Sequence, residues 1–255
     1  MAIKLDLQKA YDRVNWKFIQ AILLHFSFND TFTNWVISCM SSVSFEVLVN
    51  KGKTKSFKPS RVLRQGDHLS PYLFILGQEV LSRLVDYEIR SNNICGIKTS
   101  ISGPTITHVM YADNIVLFTK ATRGDASNLV QVLNKYCSSS RQAIKKNKSR
   151  VFFSKYNKSP TRRAVKSILQ VRNLKKDAVY LGGPMFLSKT PSKDFAFLQD
   201  KLEAKLTRWR SKNLPWASKR TLINPIAQFM PNYTMSTFSI PTKVCDKLDS
   251  LTRRF

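Results

Sequence analysis

Two strand-like stretches, each closed by an aspartate, constrain this chain more than any other feature. The first runs through KLD to Asp6, and the second runs through HVMYAD to Asp113, more than a hundred residues later. Between them lies RQGDHLSP at residues 64–71. Either aspartate alone reads as an ordinary turn or cap residue. Together they need a fold that brings distant strands side by side. Two carboxylates on neighbouring strands are the smallest cage that holds a pair of divalent cations for phosphoryl transfer.

The pattern around these stretches predicts an α+β unit of βαββαβ type. Residues 1–7 read as a strand, and Val14, Phe18, Ile22 and Phe26, flanked by Ile19 and Leu23, then recur at helical spacing. Residues 43–63 alternate as a hairpin around Asn50-Lys51-Gly52. Ser70-Pro71 opens a helix, with Ser as N-cap and Leu73, Leu76, Val80 and Leu84 facing inward. Gly103-Pro104 precedes a second hairpin, Thr105 to Met110 and Ile115 to Phe118, with Ala112-Asp113-Asn114 at its turn. A helix near 124–137 and a strand near 150–154 complete the unit. Asp6 and Asp113 are expected to end adjacent antiparallel strands, on one face of a sheet backed by two helices. Beyond Tyr180-Leu181-Gly182-Gly183-Pro184 the chain turns helical, with Phe195, Leu198, Leu202, Leu206 and Trp209 as a packing stripe. A further helix near 217–230 contains Pro225, which is expected to kink it. The domain boundary is expected near 186, dividing 1–186 from 187–255.

Charge bears on partners rather than on fold. Lys and Arg number 42 against 16 acids, a net charge of +26, which suits a polyanion. Between Asp125 and Asp177 there are fourteen basic residues and no acid, and between Glu203 and Asp246 seven more and again none. A nucleic-acid track explains this distribution, and a solvated basic face is the plainer alternative. Cys39, Cys95, Cys137 and Cys245 are scattered without a paired spacing, which suggests neither a zinc site nor a disulfide framework. No apolar run reaches the roughly 18 residues of a membrane span, so no membrane partner is expected. The charged start MAIKLDLQKAYDR argues against a signal peptide.

In their order, KAYDRVNW, LRQGD.LSPYLFIL and H.MYAD resemble motifs A, B and C of reverse transcriptases, most closely those of the LINE-type (non-LTR) retrotransposons common in plant genomes. The resemblance implies a right-hand polymerase palm followed by a helical thumb. It also implies an RNA-directed DNA polymerase, or nucleotidyltransferase, that works through Mg²⁺, with Mn²⁺ as a substitute. The implied partners are an RNA template, a DNA primer or RNA–DNA hybrid, and dNTP, and the implied location is intracellular and nuclear rather than cytoplasmic.

By the same resemblance, Asp6 and Asp113 bridge the metals, the Leu7 carbonyl is a further ligand, and position 114 adds charge. Tyr11 packs under the deoxyribose and excludes a 2′-hydroxyl, with plain core packing as the alternative. Gln65 and Gly66 meet the nascent base pair, Arg64 a phosphate, and Lys148 of KKNKSRVFFS the triphosphate leaving group. Leu181, Gly182 and Gly183 form the primer-grip turn.

Four positions depart from the family's pattern. Asn114 stands where a second acid is usual, His68 where Pro is preferred, Val62 where Gly is usual, and Gly183 where Leu is usual. Nothing here matches the fingers region that precedes motif A, which implies an open reading frame begun inside a truncated element copy. The reading is therefore a polymerase domain impaired by truncation and by YADN. The alternatives are a catalytically dead relic that binds nucleic acid through its basic face, and a generic basic RNA-binding domain.

Overall fold

A computed structural model describes residues 1–175 and 178–255, which divide into two compact units, Met1–Leu174 and Lys175–Phe255. The first is built on a five-stranded sheet. Its strands are β1 (Ala2–Asp6), β2 (His108–Tyr111), β3 (Asn114–Phe118), β4 (Arg150–Phe152) and β5 (Arg172–Asn173). They lie in the order β2-β3-β1-β4-β5, all antiparallel except the β4–β5 pair. The expected βαββαβ order is present, and β5 extends it.

Alternation sorts the side chains of the sheet onto two faces. Ile3, Leu5, Ile115, Leu117 and Val151 point into the core and are nearly inaccessible. The opposite face carries Lys4, Asp6, Val109, Tyr111, Asn114, Arg150 and Phe152, none of them buried. Only Ala2 and Val116 are buried on that side. The sheet thus has one dry face and one partly wet face, as antiparallel sheets commonly do.

The dry face is covered by more than the two helices expected. Buried residues come from α1 (Trp16–His25), α3 (Ser70–Arg90), α4 (Arg123–Ser140) and α5 (Ser159–Leu169), and α2 (Asp30–Ser41) adds Val36 and Met40. The buried side of α3 is centred on Leu73, Phe74, Gly77, Gln78, Leu81 and Val85, while the expected Leu76, Val80 and Leu84 lie at its margin. The rotation has a local cause. Phe74 stacks on the Tyr11 ring, and a Cβ at Gly77 would lie 3.6 Å from the ring of Phe18. Nor is Ser70 the N-cap. It occupies the first helical turn after Leu69, and its hydroxyl donates to the Asp67 carboxylate upstream (2.9 Å).

The second unit holds a short hairpin, Val179–Tyr180 with Gly183–Pro184, then α6 (Ala196–Arg210), α7 (Trp216–Leu222) and α8 (Thr242–Arg253). Phe195, Leu198, Leu202 and Leu206 are its buried stripe, joined by Ala227, Val244 and Leu248, with Trp209 partly covered. Pro225 does not kink a continuous helix. The chain leaves α7 through a π-helical turn, Ile223–Ala227, closed by Gln228 N–H to the Ile223 carbonyl (3.1 Å). This wider turn passes the residue that cannot donate. The division at Leu174 lies upstream of the boundary read at 186, because the 179–184 hairpin packs on Phe238 of the second unit. Among the described residues no helix is long and apolar enough to cross a membrane.

Candidate active site

Asp6 closes β1, and its main chain is held from the β4 side. Its N–H donates to the Ser149 hydroxyl (3.2 Å), and its carbonyl accepts from Lys145 N–H (2.8 Å). Gln8 N–H donates to the Ala143 carbonyl (2.8 Å), so Leu7 pairs with Ile144 as a non-hydrogen-bonded couple. That geometry turns the Leu7 carbonyl to the other edge of β1, toward β3. On that edge Asp6 stands directly opposite Asn114, and Asn114 opposite Tyr111. Residues opposite one another share a face, so Tyr111, Asn114 and Asp6 form a row across the wet side of the sheet.

Asp113 sits in the two-residue turn between β2 and β3, next to that row. The turn bends through Ala112 in the left-handed region (φ 49°). Asp113 is exposed, and the Asn114 amide nitrogen faces its carboxylate at 3.5 Å. Burial raises the Tyr11 hydroxyl above its ordinary value, and the charge of Asp113 raises it further. Tyr11 therefore lies in the field of the turn. Its ring is stacked on Phe74 (centroids 4.7 Å apart, 13° between planes). Asp6, Asp113, Asn114 and Tyr11 are thus gathered at one end of the sheet.

The 62–70 loop is fixed to the segment after β1. Leu63 N–H donates to the Tyr11 carbonyl (2.8 Å), and the Trp16 indole N–H donates to the Val62 carbonyl (2.9 Å). Val62 has φ 121°, a value that excludes nearly every residue but glycine. Arg64, Gln65, Gly66 and His68 are exposed on the loop. Gly66 has φ 86° with open space where a Cβ would stand, so its backbone conformation calls for glycine, not close packing. Burial alone would raise the Asp67 carboxyl, but bonds from Ser70 and Leu69 and the charge of Arg64 hold it below its ordinary value.

Lys148 is exposed in the turn that joins Lys145 to β4, and its N–H donates to the Lys145 carbonyl (2.9 Å). The residue that anchors Asp6 therefore also anchors this lysine's turn. In the second unit, Leu181 (φ 49°) and Gly182 (φ 83°) make the hairpin turn. A Cβ at Gly183 would come within 3.1 Å of the Phe238 ring, so glycine at that position goes with Phe238.

Sequence reasoning missed the supports. Ser149 is fully buried under Asp6, and the buried Gln142 donates to the Ala10 carbonyl (2.7 Å), fixing the start of the segment that carries Tyr11. Trp16 was visible as the last letter of KAYDRVNW, but nothing in that word assigns it a bond to residue 62.

Asp6, Asp113 and the Leu7 carbonyl are all hard oxygen donors, the kind that suits Mg²⁺. Among the described residues no group of three or more His, Cys, Asp or Glu is assembled to hold a metal. The donor set fits the ion in kind, with an amide at position 114 where a third charge would add affinity.

Residues 1–198 match the family model for reverse transcriptase (RNA-dependent DNA polymerase). An uncharacterized mitochondrial protein of Arabidopsis thaliana is 45% identical over 67 residues, 26% of this chain and 55% of that protein. An A. thaliana protein named as a ribonuclease H protein is 33% identical over 70 residues, 27% of this chain and 11% of that protein. The matches thus span about half of one relative and about a tenth of the other. Among solved structures, telomerase from Candida albicans in complex with a fragment of telomeric RNA superposes with a TM-score of 0.47 at 15% identity, covering 80% of this chain and 34% of that one.

Proposed function

The chain belongs to the reverse transcriptase (RNA-dependent DNA polymerase) family, and from that premise we propose that its first unit is a LINE-type palm whose nucleotidyl-transfer site is weakened at position 114. The observation that carries this is the register of Asp6 against Asn114, which sets the first carboxylate beside the Asp113 turn. Asp6 and Asp113, with the Leu7 carbonyl, would hold Mg²⁺. Bound there, the cation would neutralise triphosphate oxygens and make the primer 3′-hydroxyl a better nucleophile.

The chain's own groups would do the rest. Tyr11, braced by Phe74, would lie under the sugar and leave no room for a 2′-hydroxyl. Gln65 and the Gly66 backbone would meet the nascent base pair, and the Arg64 guanidinium a phosphate. Lys148 Nζ would give a proton to the leaving pyrophosphate. The second unit would act as a thumb, with the 181–183 turn touching the primer strand. The partners would be an RNA template, a DNA primer and dNTP.

The test is charge restoration. Asn and Asp are nearly the same size, so Asn114→Asp is expected to leave the hairpin folded. It is expected to raise template-dependent dNTP incorporation, most strongly at low Mg²⁺. Asp113→Asn is expected to abolish what activity remains. A second reading, a binder of nucleic acid without catalysis, is favoured by one observation, the amide that Asn114 presents to Asp113. Primer extension by Asn114→Asp that stays at background at every Mg²⁺ and dNTP concentration would decide for that reading.

A further inference from the structure

Residues 44–58 leave the first unit as a hairpin in which every residue is exposed. Leu48–Val49 pairs with Gly52–Lys53 across a turn at Asn50 and Lys51, both left-handed (φ 49° and 68°). Further down, Thr54 N–H donates to the Val47 carbonyl, and Phe45 and Phe57 exchange two bonds, all at 2.9 Å. The register slips by one residue between these pairs, which is a bulge. Phe45, Val47, Val49 and Phe57 fall on one face, exposed by 37%, 48%, 53% and 51%. The two rings lie 6.0 Å apart and tilted by 33°.

A two-stranded hairpin is marginal by itself, and an open apolar face on it calls for a partner. The charge says which kind. Lys51, Lys53, Lys55, Lys58 and Arg61 line the hairpin and its exit strand, against Glu46 as the one acid, which Lys53 already pairs (3.4 Å). Aromatic faces flanked by unpaired cations suit unstacked bases on a phosphate backbone, whereas a duplex hides the faces of its bases. The exit strand also runs directly into Arg64-Gln65-Gly66.

We propose that this hairpin is a stacking platform for single-stranded nucleic acid. Bases lie on Phe45 and Phe57, and phosphates meet Lys55, Lys58 and Arg61. The proposal rests on the polymerase reading only in identifying the strand as unpaired template on its way to the 64–66 loop.

The test uses the full chain, without dNTP, and an unstructured single-stranded oligonucleotide carrying 2-aminopurine. Phe45→Leu/Phe57→Leu keeps apolar bulk and removes both rings. Kd for the single strand is expected to rise roughly tenfold, with loss of the fluorescence quenching that reports stacking. Kd for a blunt RNA–DNA hybrid is expected to change less than about twofold, because its contacts are phosphate contacts made elsewhere on the basic surface. The single variant Phe57→Leu, with its smaller disturbance, is expected to fall between. Unchanged single-strand affinity and quenching in both variants would overturn the proposal. If self-association of the chain drops at the same time, the face is a protein contact instead. Asp113→Asn, which removes catalysis, is expected to leave this binding intact. If wild type binds neither single strand nor hybrid, the polymerase reading falls too.

Discussion

Val62 shows how a single residue can be set against its backbone. A β-branched side chain at φ 121° is strained by about 1–3 kcal/mol, and three bonds hold it there. Its own N–H reaches the Val14 carbonyl (3.3 Å), the Trp16 indole holds its carbonyl, and Leu63 N–H holds Tyr11. Val62→Gly removes the strain but gives the unfolded chain more freedom, a cost of about 0.5–1 kcal/mol. The net expectation is a stabilisation of about 1 kcal/mol, seen as a higher urea midpoint at unchanged slope. Val62→Ala keeps the Cβ and is expected to gain nothing. If glycine destabilises as much as alanine does, the strain is not there. At this scale the sequence was informative where short words carry the pattern. Asp6, Asp113 and Tyr11 could be picked out from such words, and they lie together at one end of the sheet. It was uninformative for residues whose meaning depends on a distant partner. Gly183 reads as a departure until Phe238 is found against it, and Ser149 reads as nothing until Asp6 lies above it.

At the level of elements, periodicity located the helices and strands but misplaced faces and ends. The inner side of α3 was read one residue off because Gly77 looks neutral in a hydrophobic pattern, yet it is where Phe18 enters. The helix read near 124–137 begins at Arg123, where Thr122 accepts from Asp125 N–H (3.1 Å) as its N-cap. The wider role of Asp125 was not legible. The Asp125 carboxylate also takes the Thr122 and Thr119 hydroxyls and the Cys95 N–H (2.8 Å), tying the helix to the loop before β2. Burial pushes this carboxyl up, but these donors together hold it below its ordinary value of 3.8. A carboxyl depressed in the folded state contributes stability that is present above the unfolded value and is lost as pH falls below it. Asp125→Ala is therefore expected to cost about 2–3 kcal/mol at pH 7, because it removes a charged acceptor and strands its donors. The gap between wild type and Asp125→Asn in urea midpoint is expected to narrow as pH falls from neutral through the carboxylate range. A gap that stays constant down to pH 3 would show that the contribution of Asp125 is one of shape, not of charge.

For the whole molecule, what could be read in advance was charge, the order of elements and the existence of a second, helical unit. The position of the division could not be read, because the 179–184 hairpin looks like the end of the first unit in sequence and packs with the second in space. A net charge of +26 does not fold the chain, and gathering like charges works against compaction. The acid-free run after Asp125 is spread over a surface in which Lys155, Lys158 and Arg163 are all exposed around the start of α5. If this surface tracks a phosphate backbone, each engaged phosphate releases counterion, and affinity for an RNA–DNA hybrid falls steeply with salt. Five or more engaged phosphates give a slope of about −4 or steeper in log K against log salt, at least roughly a hundredfold loss for a fourfold rise in salt. Replacing Lys155, Lys158 and Arg163 by Gln is expected to flatten that slope by about one for each cation in contact, with no change in base preference, since phosphate contacts position a strand without reading it. These side chains are exposed, so the triple variant is expected to unfold at the same urea midpoint as wild type. A triple variant with the wild-type slope would place the nucleic acid on another part of the surface. A wild-type slope near zero would mean that the basic face is only solvated.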